Sequence, residues 1–230
     1  MARRPSPSLS VLAVSLPLLV SLLACQGCAS KIAWSDLLTS GRDGWQRPAD
    51  VIAALEIAPG DRVAEIGAGD GYWLPWLSEA VGPEGVVYAV EVEEDKIDDL
   101  RARVAEEGWT NVEVVYGEYT DPRLPDGSVD LAMTCLTYHH IEDRVRYFSR
   151  LQADLAPGGR VVHLDDRSDL DAPLRWLPTS GHTSDPDEMD AEMQSAGYRR
   201  TRTFDLLLVQ TFREYAPRGD GLANAAGPER

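Results

Sequence analysis

The sequence predicts an α/β fold, an open sheet with helices on both faces. Three observations predict it. Short apolar stretches rich in Val alternate with helical stretches between residues 45 and 215. The first of them, Val63-Ala64-Glu65-Ile66, runs into Gly67-Ala68-Gly69-Asp70-Gly71-Tyr72. Such glycines permit positive φ and close backbone approach to a ligand, and α/β sheets bind their ligands at this first βα turn. Acids close the first two strands: Glu65 lies two residues before the first glycine, and Glu91 ends the second strand, twenty residues after Gly71. With 230 residues, 43% hydrophobic and 26% charged, the chain suffices for one globular domain with a full core.

Residues 1–24 stand apart. Arg3 and Arg4 form a basic start, and the apolar run Leu9–Leu23, interrupted by Pro17, is too short and broken for a comfortable membrane span. It reads as a secretory signal peptide, with an uncleaved anchor as the alternative. Leu22-Leu23-Ala24-Cys25 resembles the lipobox of bacterial lipoproteins. That resemblance implies cleavage before Cys25 and a lipid on Cys25. With Gln26 following, it also implies transfer to an outer membrane, and so an envelope protein on the periplasmic side. Cys25 and Cys28 sit beside the cleavage site rather than on a βα turn, which speaks against a thioredoxin-like pair. The net charge is −16, and removing residues 1–24 makes the remainder two units more acidic. Such a surface repels polyanions, so nucleic acid is excluded as a partner and membrane contact falls to the lipid alone.

Residues 25–44 read as a tether and lead-in segment, 45–215 as the domain and 216–230 as a disordered tail. Pro48 suits the first turn of a helix over Ala49–Leu55, and Trp45 and Gln46 before it either line a pocket or plug the core. A helix follows over Tyr72–Ala80, then the strand Val86–Glu91, whose apolar run implies burial on both faces. The next helix, Glu93–Glu107, stops at Gly108, ahead of strands at Asn111–Tyr116 and Val129–Thr134. Leu151–Arg160, with Pro157-Gly158-Gly159, reads as the helix and turn leading into a fifth strand. Asp169–Thr183 reads as a loop or lid. Ser184 or Asp185 then caps a helix to Ser195, and Tyr198–Asp205 and Leu207–Arg213 read as two final strands.

A dinucleotide fingerprint needs G-x-G-x-x-G, but position 72 is Tyr. Glu65 with Gly67-x-Gly69-x-Gly71 instead resembles motif I of class I S-adenosylmethionine (SAM)-dependent methyltransferases. Further stretches match that family in order: Glu91, Gly117-Glu118-Tyr119, Leu124–Leu131, and Leu151–Arg160. The resemblance implies a Rossmann-like seven-stranded sheet of order 3-2-1-4-5-7-6 with the last strand antiparallel. It implies SAM as cofactor, its methionine part over Gly67, Ala68, Gly69, Asp70 and Gly71 and its amino group on Glu65. Glu91 then takes the ribose hydroxyls, since a carboxylate accepts two O–H donors side by side. Gly117 and Glu118 stand where the family has Gly-Asp before an Ala, with the acid on the adenine amino group; Glu118 is one methylene longer. Cys135, at the apolar end of the fourth strand, reads as core and cofactor wall rather than nucleophile.

Methyl transfer is an in-line displacement, so the protein chiefly positions the acceptor and, where needed, takes its proton. Tyr138, His139 and His140 lie just past the fourth strand and are the catalytic candidates, with His163, Asp165 and Asp166 along the fifth strand and His182 in the lid. His139 or His140 suits a general base near neutral pH; alternatively one packs under the cofactor and the other caps the helix at Ile141-Glu142-Asp143. His139, His163, Asp165 and His182 offer metal donors. Nothing has zinc-motif spacing, so no metal is assigned. No G-x-S-x-G elbow occurs. The expected function is transfer of a methyl group from SAM to a small-molecule or lipid-like acceptor. The alternative is a non-catalytic envelope lipoprotein that uses the same fold to bind a nucleoside-like ligand. An exported chain meets little SAM, and the sequence leaves that conflict open, along with the acceptor and the oligomeric state.

Overall fold

The computed structural model describes residues 41–171 and 183–219. The leader with Cys25 and Cys28, His182 and the last residues of the tail lie outside the described residues. Two short helices open the described chain, α1 (Arg42–Gln46) and α2 (Pro48–Leu55). There follow β1 (Arg62–Ile66), α3 (Leu74–Val81), β2 (Val86–Glu91), α4 (Glu94–Glu107) and β3 (Val112–Tyr116). Then come β4 (Val129–Cys135), a single 3-10 turn at Tyr138–His140, α5 (Arg144–Leu151) and β5 (Leu155–Asp166). The chain closes with α6 (Pro186–Ser195), β6 (Tyr198–Thr203) and β7 (Gln210–Pro217). The seven strands form one sheet in the order β3-β2-β1-β4-β5-β7-β6. The first five are parallel, and β7 runs antiparallel to both β5 and β6.

Alternation along the strands builds a core on each face. Val63, Val87, Leu131, Met133, Val162 and Leu164 pack against α2 and α3 through Val51, Leu55, Leu74 and Leu77. Ala64, Ile66, Tyr88, Val90, Ala132 and Val161 point the other way, onto Tyr138, Phe148, Leu151 and Met193. Ile97 and Leu100, one turn apart, are the buried stripe of α4, which Gly108 ends at φ 70°.

Several boundaries differ from the sequence reading; the last strand runs on through Ala216 and Pro217, expected in the tail, because they pair with Arg199 and Tyr198. The lead-in segment is helical over Arg42–Gln46, and the Gln46 side chain is buried. Helix α3 starts at Leu74 rather than Tyr72, because the glycine turn continues through Trp73. Strand β5 starts at Leu155, which pairs with Val129; the register then shifts before Leu131 pairs with Arg160. The Pro-Gly-Gly turn is thus absorbed as an irregularity within the strand, and a Cβ at Gly159 would lie 2.6 Å from the Val129 carbonyl oxygen. Strand β7 starts at Gln210, not Leu207. Its pairing with β5 begins at Asp166, so Leu207 and Val209 enter the core from the loop before it. Asp185 is the cap of α6, accepting from the Asp187 and Glu188 N–H groups.

Candidate active site

Strand register explains how the two acids come together. Glu65 pairs with Ala89 in β2 and with Met133 in β4. Glu91 and Cys135 lie two residues beyond those partners, so Glu65, Glu91 and Cys135 share one face at the carboxyl ends of three neighbouring strands. All three line one cavity of about 490 Å³. Its floor is the turn Gly67–Asp70 and its far wall is Leu136, Thr137, His140 and Ile141.

The turn itself is held by pairs of N–H groups. Gly67 and Ala68 both donate to the Val90 carbonyl at 2.9 Å. Gly67 has φ 75°, and a Cβ there would come within 2.3 Å of Thr137, so only glycine lets the fourth-strand loop close on the turn. Gly71 does a different job: a Cβ there would meet Leu74 and Leu100, and the residue seats the helix rather than lining the cavity. Gly117 likewise lies outside the lining; a Cβ there would meet Val90 at 2.8 Å.

Glu91 is fixed by three backbone donors. Its Oε2 accepts from Gly69 N at 2.9 Å, and its Oε1 accepts from Val92 N at 2.7 Å and Glu93 N at 3.3 Å. Glu65 is the opposite case. It is 3% exposed and its Oε2 has no hydrogen-bond partner. Burial pushes its carboxyl well above the usual carboxylate range, with Arg42 pulling it partly back. A buried orphan oxygen of this kind is a costly feature unless something fills it.

Arg42 was not singled out from sequence, where it is one arginine in a lead-in segment. In the fold it lines the cavity, with its guanidinium 3.8 Å from the centre of the Tyr72 ring and its Nη1 3.9 Å from Asp70. Gln46 sets its position: Arg42 Nε donates to Gln46 Oε1 at 2.6 Å, while Gln46 Nε2 donates to Cys135 Sγ at 2.9 Å. Gln46 therefore supports the cavity from behind and does not line it. Burial pushes the Cys135 thiol up to about 12, which makes it a wall rather than a nucleophile. Leu136, also in the lining, has φ 54°. A side chain in that region costs roughly 1–2 kcal/mol, and such strain clusters at functional sites. Glu118 lines the cavity and pairs with Arg123. The Tyr119 hydroxyl beside it donates to Glu93 Oε1 at 2.8 Å.

The three catalytic candidates separate. His140 lines the cavity. The His139 ring is 4.2 Å from it, but His139 faces a smaller polar cavity of about 110 Å³ with Arg144, Ser184 and Glu192. Its Nδ1 lies 2.7 Å from Asp165 Oδ1, and Asp165 Oδ2 accepts from His139 N at 3.1 Å and Ser184 Oγ at 3.0 Å. Tyr138 does not reach the main cavity. Its ring stacks on Phe148, its hydroxyl donates to Glu192 Oε2 at 2.6 Å, and burial pushes its acidity down. His163 is a core residue rather than a mouth residue. Its ring nitrogens meet Thr134 Oγ1 at 2.8 Å and Met193 Sδ at 3.3 Å, and burial lowers its pKa to about 3. Asp166 is buried and accepts from Gln210 Nε2 at 3.0 Å. Among the described residues no group of three His, Cys, Asp or Glu side chains is arranged to hold a metal.

Residues 63–159 match the family model described as a methyltransferase domain. The demethylmenaquinone methyltransferase of Geobacillus kaustophilus (strain HTA426) is 28% identical over 116 residues, 50% of this chain and 50% of that protein. The arsenite methyltransferase of Halobacterium salinarum is 31% identical over 113 residues, 49% of this chain and 29% of that protein. The chain thus spans half the length or less of these curated relatives. A crystal structure of a SAM-dependent methyltransferase from Aquifex aeolicus superposes with a TM-score of 0.67 at 25% identity, covering 73% of this chain and 88% of that one. The sheet order is that of the methyltransferase fold. SAM is the cofactor that the matched domain and this neighbour imply. The site fits it: Glu65 offers an unfilled acceptor for an ammonium, in the same cavity as Arg42 and Glu91.

Proposed function

We propose that this chain is a SAM-dependent methyltransferase acting on a small-molecule or lipid-like acceptor, exported and anchored through a lipid on Cys25. The observation that carries the activity is the orphan Glu65 oxygen in the cavity that also holds Glu91. One of these groups asks for a buried cation, and the other is a fixed carboxylate able to take paired hydroxyls. Small molecules named for two relatives, demethylmenaquinone and arsenite, support the acceptor class. The leader sequence supports export.

When bound, SAM supplies an electrophilic methyl on a sulfonium. Glu65 Oε2 receives the ammonium and Arg42 the carboxylate of the methionine part. Glu91 receives the ribose hydroxyls, and Glu118 stands at the adenine end. The acceptor enters at the carboxyl ends of β4 and β5, beside Thr137 and His140. His140, in the cavity wall, would take any proton the acceptor releases. Asp165 holds His139 by Nδ1 beside His140 and keeps that pair in place.

Calorimetry of the purified chain with SAM tests the cofactor reading; no heat at millimolar ligand would remove it. Transfer of label from methyl-labelled SAM to a small-molecule extract of the producing cell tests the reaction. SAM binding without transfer would favour a binding lipoprotein. Incorporation of a palmitate analogue that Cys25→Ser abolishes tests the anchor, and labelling that survives the substitution would refute it.

A further inference from the structure

Among the described residues two large aromatic side chains are exposed, Tyr116 at 46% and Tyr119 at 68%. They stand in different places. Both border a cavity of about 500 Å³ outside the end of β3, but only Tyr119 also lines the cofactor cavity. The two cavities share Val92, Glu118 and Tyr119, so Tyr119 stands on their common rim. The backbone fixes that position. Glu118 N donates to the Asp121 carbonyl at 2.7 Å and Asp121 N to the Glu118 carbonyl at 3.2 Å, which puts Tyr119 and Thr120 at the tip of a tight turn. Side chains hold the base of the turn, Arg150 pairing with Asp121 and Arg123 with Glu118. At the tip, the Tyr119 hydroxyl donates to Glu93 Oε1 at 2.8 Å, and Glu93 N donates in turn to Glu91 Oε1 at 3.3 Å. The Tyr119 side chain therefore spans from the turn after β3 to the loop after β2 that carries the ribose acid.

Residue 119 is Tyr where the family resembled has Ala, so the fold itself does not require the ring. We propose that Tyr119 is a binding residue for the cofactor's nucleoside, its ring covering the base and its hydroxyl setting the ring in place through Glu93. The proposal rests on the cofactor reading above. Every base has a π-face, and an aromatic side chain that is exposed in the empty protein gains contact when a base covers it. The hydrogen bond to Glu93 is at the surface, where water offers the same partners, so it orients the ring at little net gain of its own. SAM and the thioether left after transfer carry the same nucleoside, and Tyr119 holds both alike.

The test is calorimetric titration of the purified chain with SAM and with S-adenosylhomocysteine. Removing an aromatic from beside a base weakens binding about five- to 150-fold. Tyr119→Ala should therefore weaken both ligands at least about fivefold and by a similar factor. Tyr119→Phe keeps the ring and should stay within about threefold of wild type. Because the ring is exposed, empty Tyr119→Ala should melt with wild type. A second measurement needs no substitution: nitration by tetranitromethane, located by mass spectrometry. S-adenosylhomocysteine should protect Tyr119 and leave Tyr116, the exposed control, reactive. Three results would each overturn the role of Tyr119 while SAM binding to wild type keeps the cofactor reading standing. They are unchanged affinity in Tyr119→Ala, a loss equally large in Tyr119→Phe, and nitration of Tyr119 indifferent to ligand. A loss confined to SAM would place the ring at the sulfonium instead of the base and overturn it too. No heat from either ligand with wild type would overturn both readings.

Discussion

Replacing Glu65 by Gln should make the empty protein more stable and the cofactor bind more weakly. Glu65 is buried with one oxygen unpartnered, and burial raises its pKa well above 4.5. Below pH 4.5 the folded and unfolded chains both hold the proton, and the carboxyl has no effect on stability. As pH rises past 4.5 the unfolded chain releases its proton while the folded chain keeps it, so stability falls until pH reaches the raised value. Gln has no such proton. The wild-type and Glu65→Gln melting temperatures should therefore agree near pH 4 and diverge toward neutral pH, with the variant higher. A ligand ammonium reverses the preference, because it favours the ionised carboxylate. Loss of that charge-assisted hydrogen bond should cost about 1.5–3 kcal/mol, roughly ten- to 150-fold in Kd for SAM. Scanning fluorimetry across pH and calorimetry with SAM supply both numbers, and saturating SAM should raise the wild-type melting temperature more than the variant's. A variant that binds SAM with unchanged Kd, or that is less stable than wild type at neutral pH, refutes the reasoning.

Glu91→Ala should weaken SAM by about 1.5–3 kcal/mol, and calorimetry that finds no change means the ribose lies elsewhere. Gly67→Ala brings a Cβ to 2.3 Å from Thr137 at φ 75°, so both the melting temperature and SAM affinity should drop; a variant matching wild type in both would show that the turn is not under this constraint. His163 stays neutral when folded down to pH about 3, whereas the unfolded chain takes up a proton below 6.5. Acid should therefore remove stability between those two values, and the loss should be shallower in His163→Asn when denaturation midpoints are followed by circular dichroism. Asp165→Asn should change the proton position on His139, read as altered imidazole nitrogen shifts in ¹⁵N-histidine spectra, with the His163 resonances unmoved. Unaltered His139 shifts would show that Asp165 does not orient the ring.

The register of the parallel strands was not legible residue by residue, yet its result was. Acids at the ends of β1 and β2 lie on one face because each strand alternates with period two, and a parallel crossover fixes which residues sit side by side. Glu65 and Glu91 therefore reach one cavity, as their places at the two strand ends suggest. The histidines were harder. Tyr138, His139 and His140 follow β4 consecutively, but a 3-10 turn fans consecutive side chains apart, and each meets a different neighbour. One stacks in the core, one is held by Asp165, and one lines the cavity. Arg42 was hidden for another reason: its place depends on Gln46 and Tyr72, which meet it only after the lead-in segment folds against β4 and the glycine turn.

By itself the sequence determined the α/β class, the glycine turn, the two strand-end acids and the order of elements, because these follow from hydrophobic period, glycine conformation and short-range spacing. Tertiary structure alone decided that Glu65 has an unfilled oxygen, that Arg42 enters the cavity, that His163 belongs to the core and that β7 begins at Gln210. Those outcomes depend on which distant side chains and strands become neighbours, and burial and partnership are properties of the packed molecule rather than of any local stretch of chain.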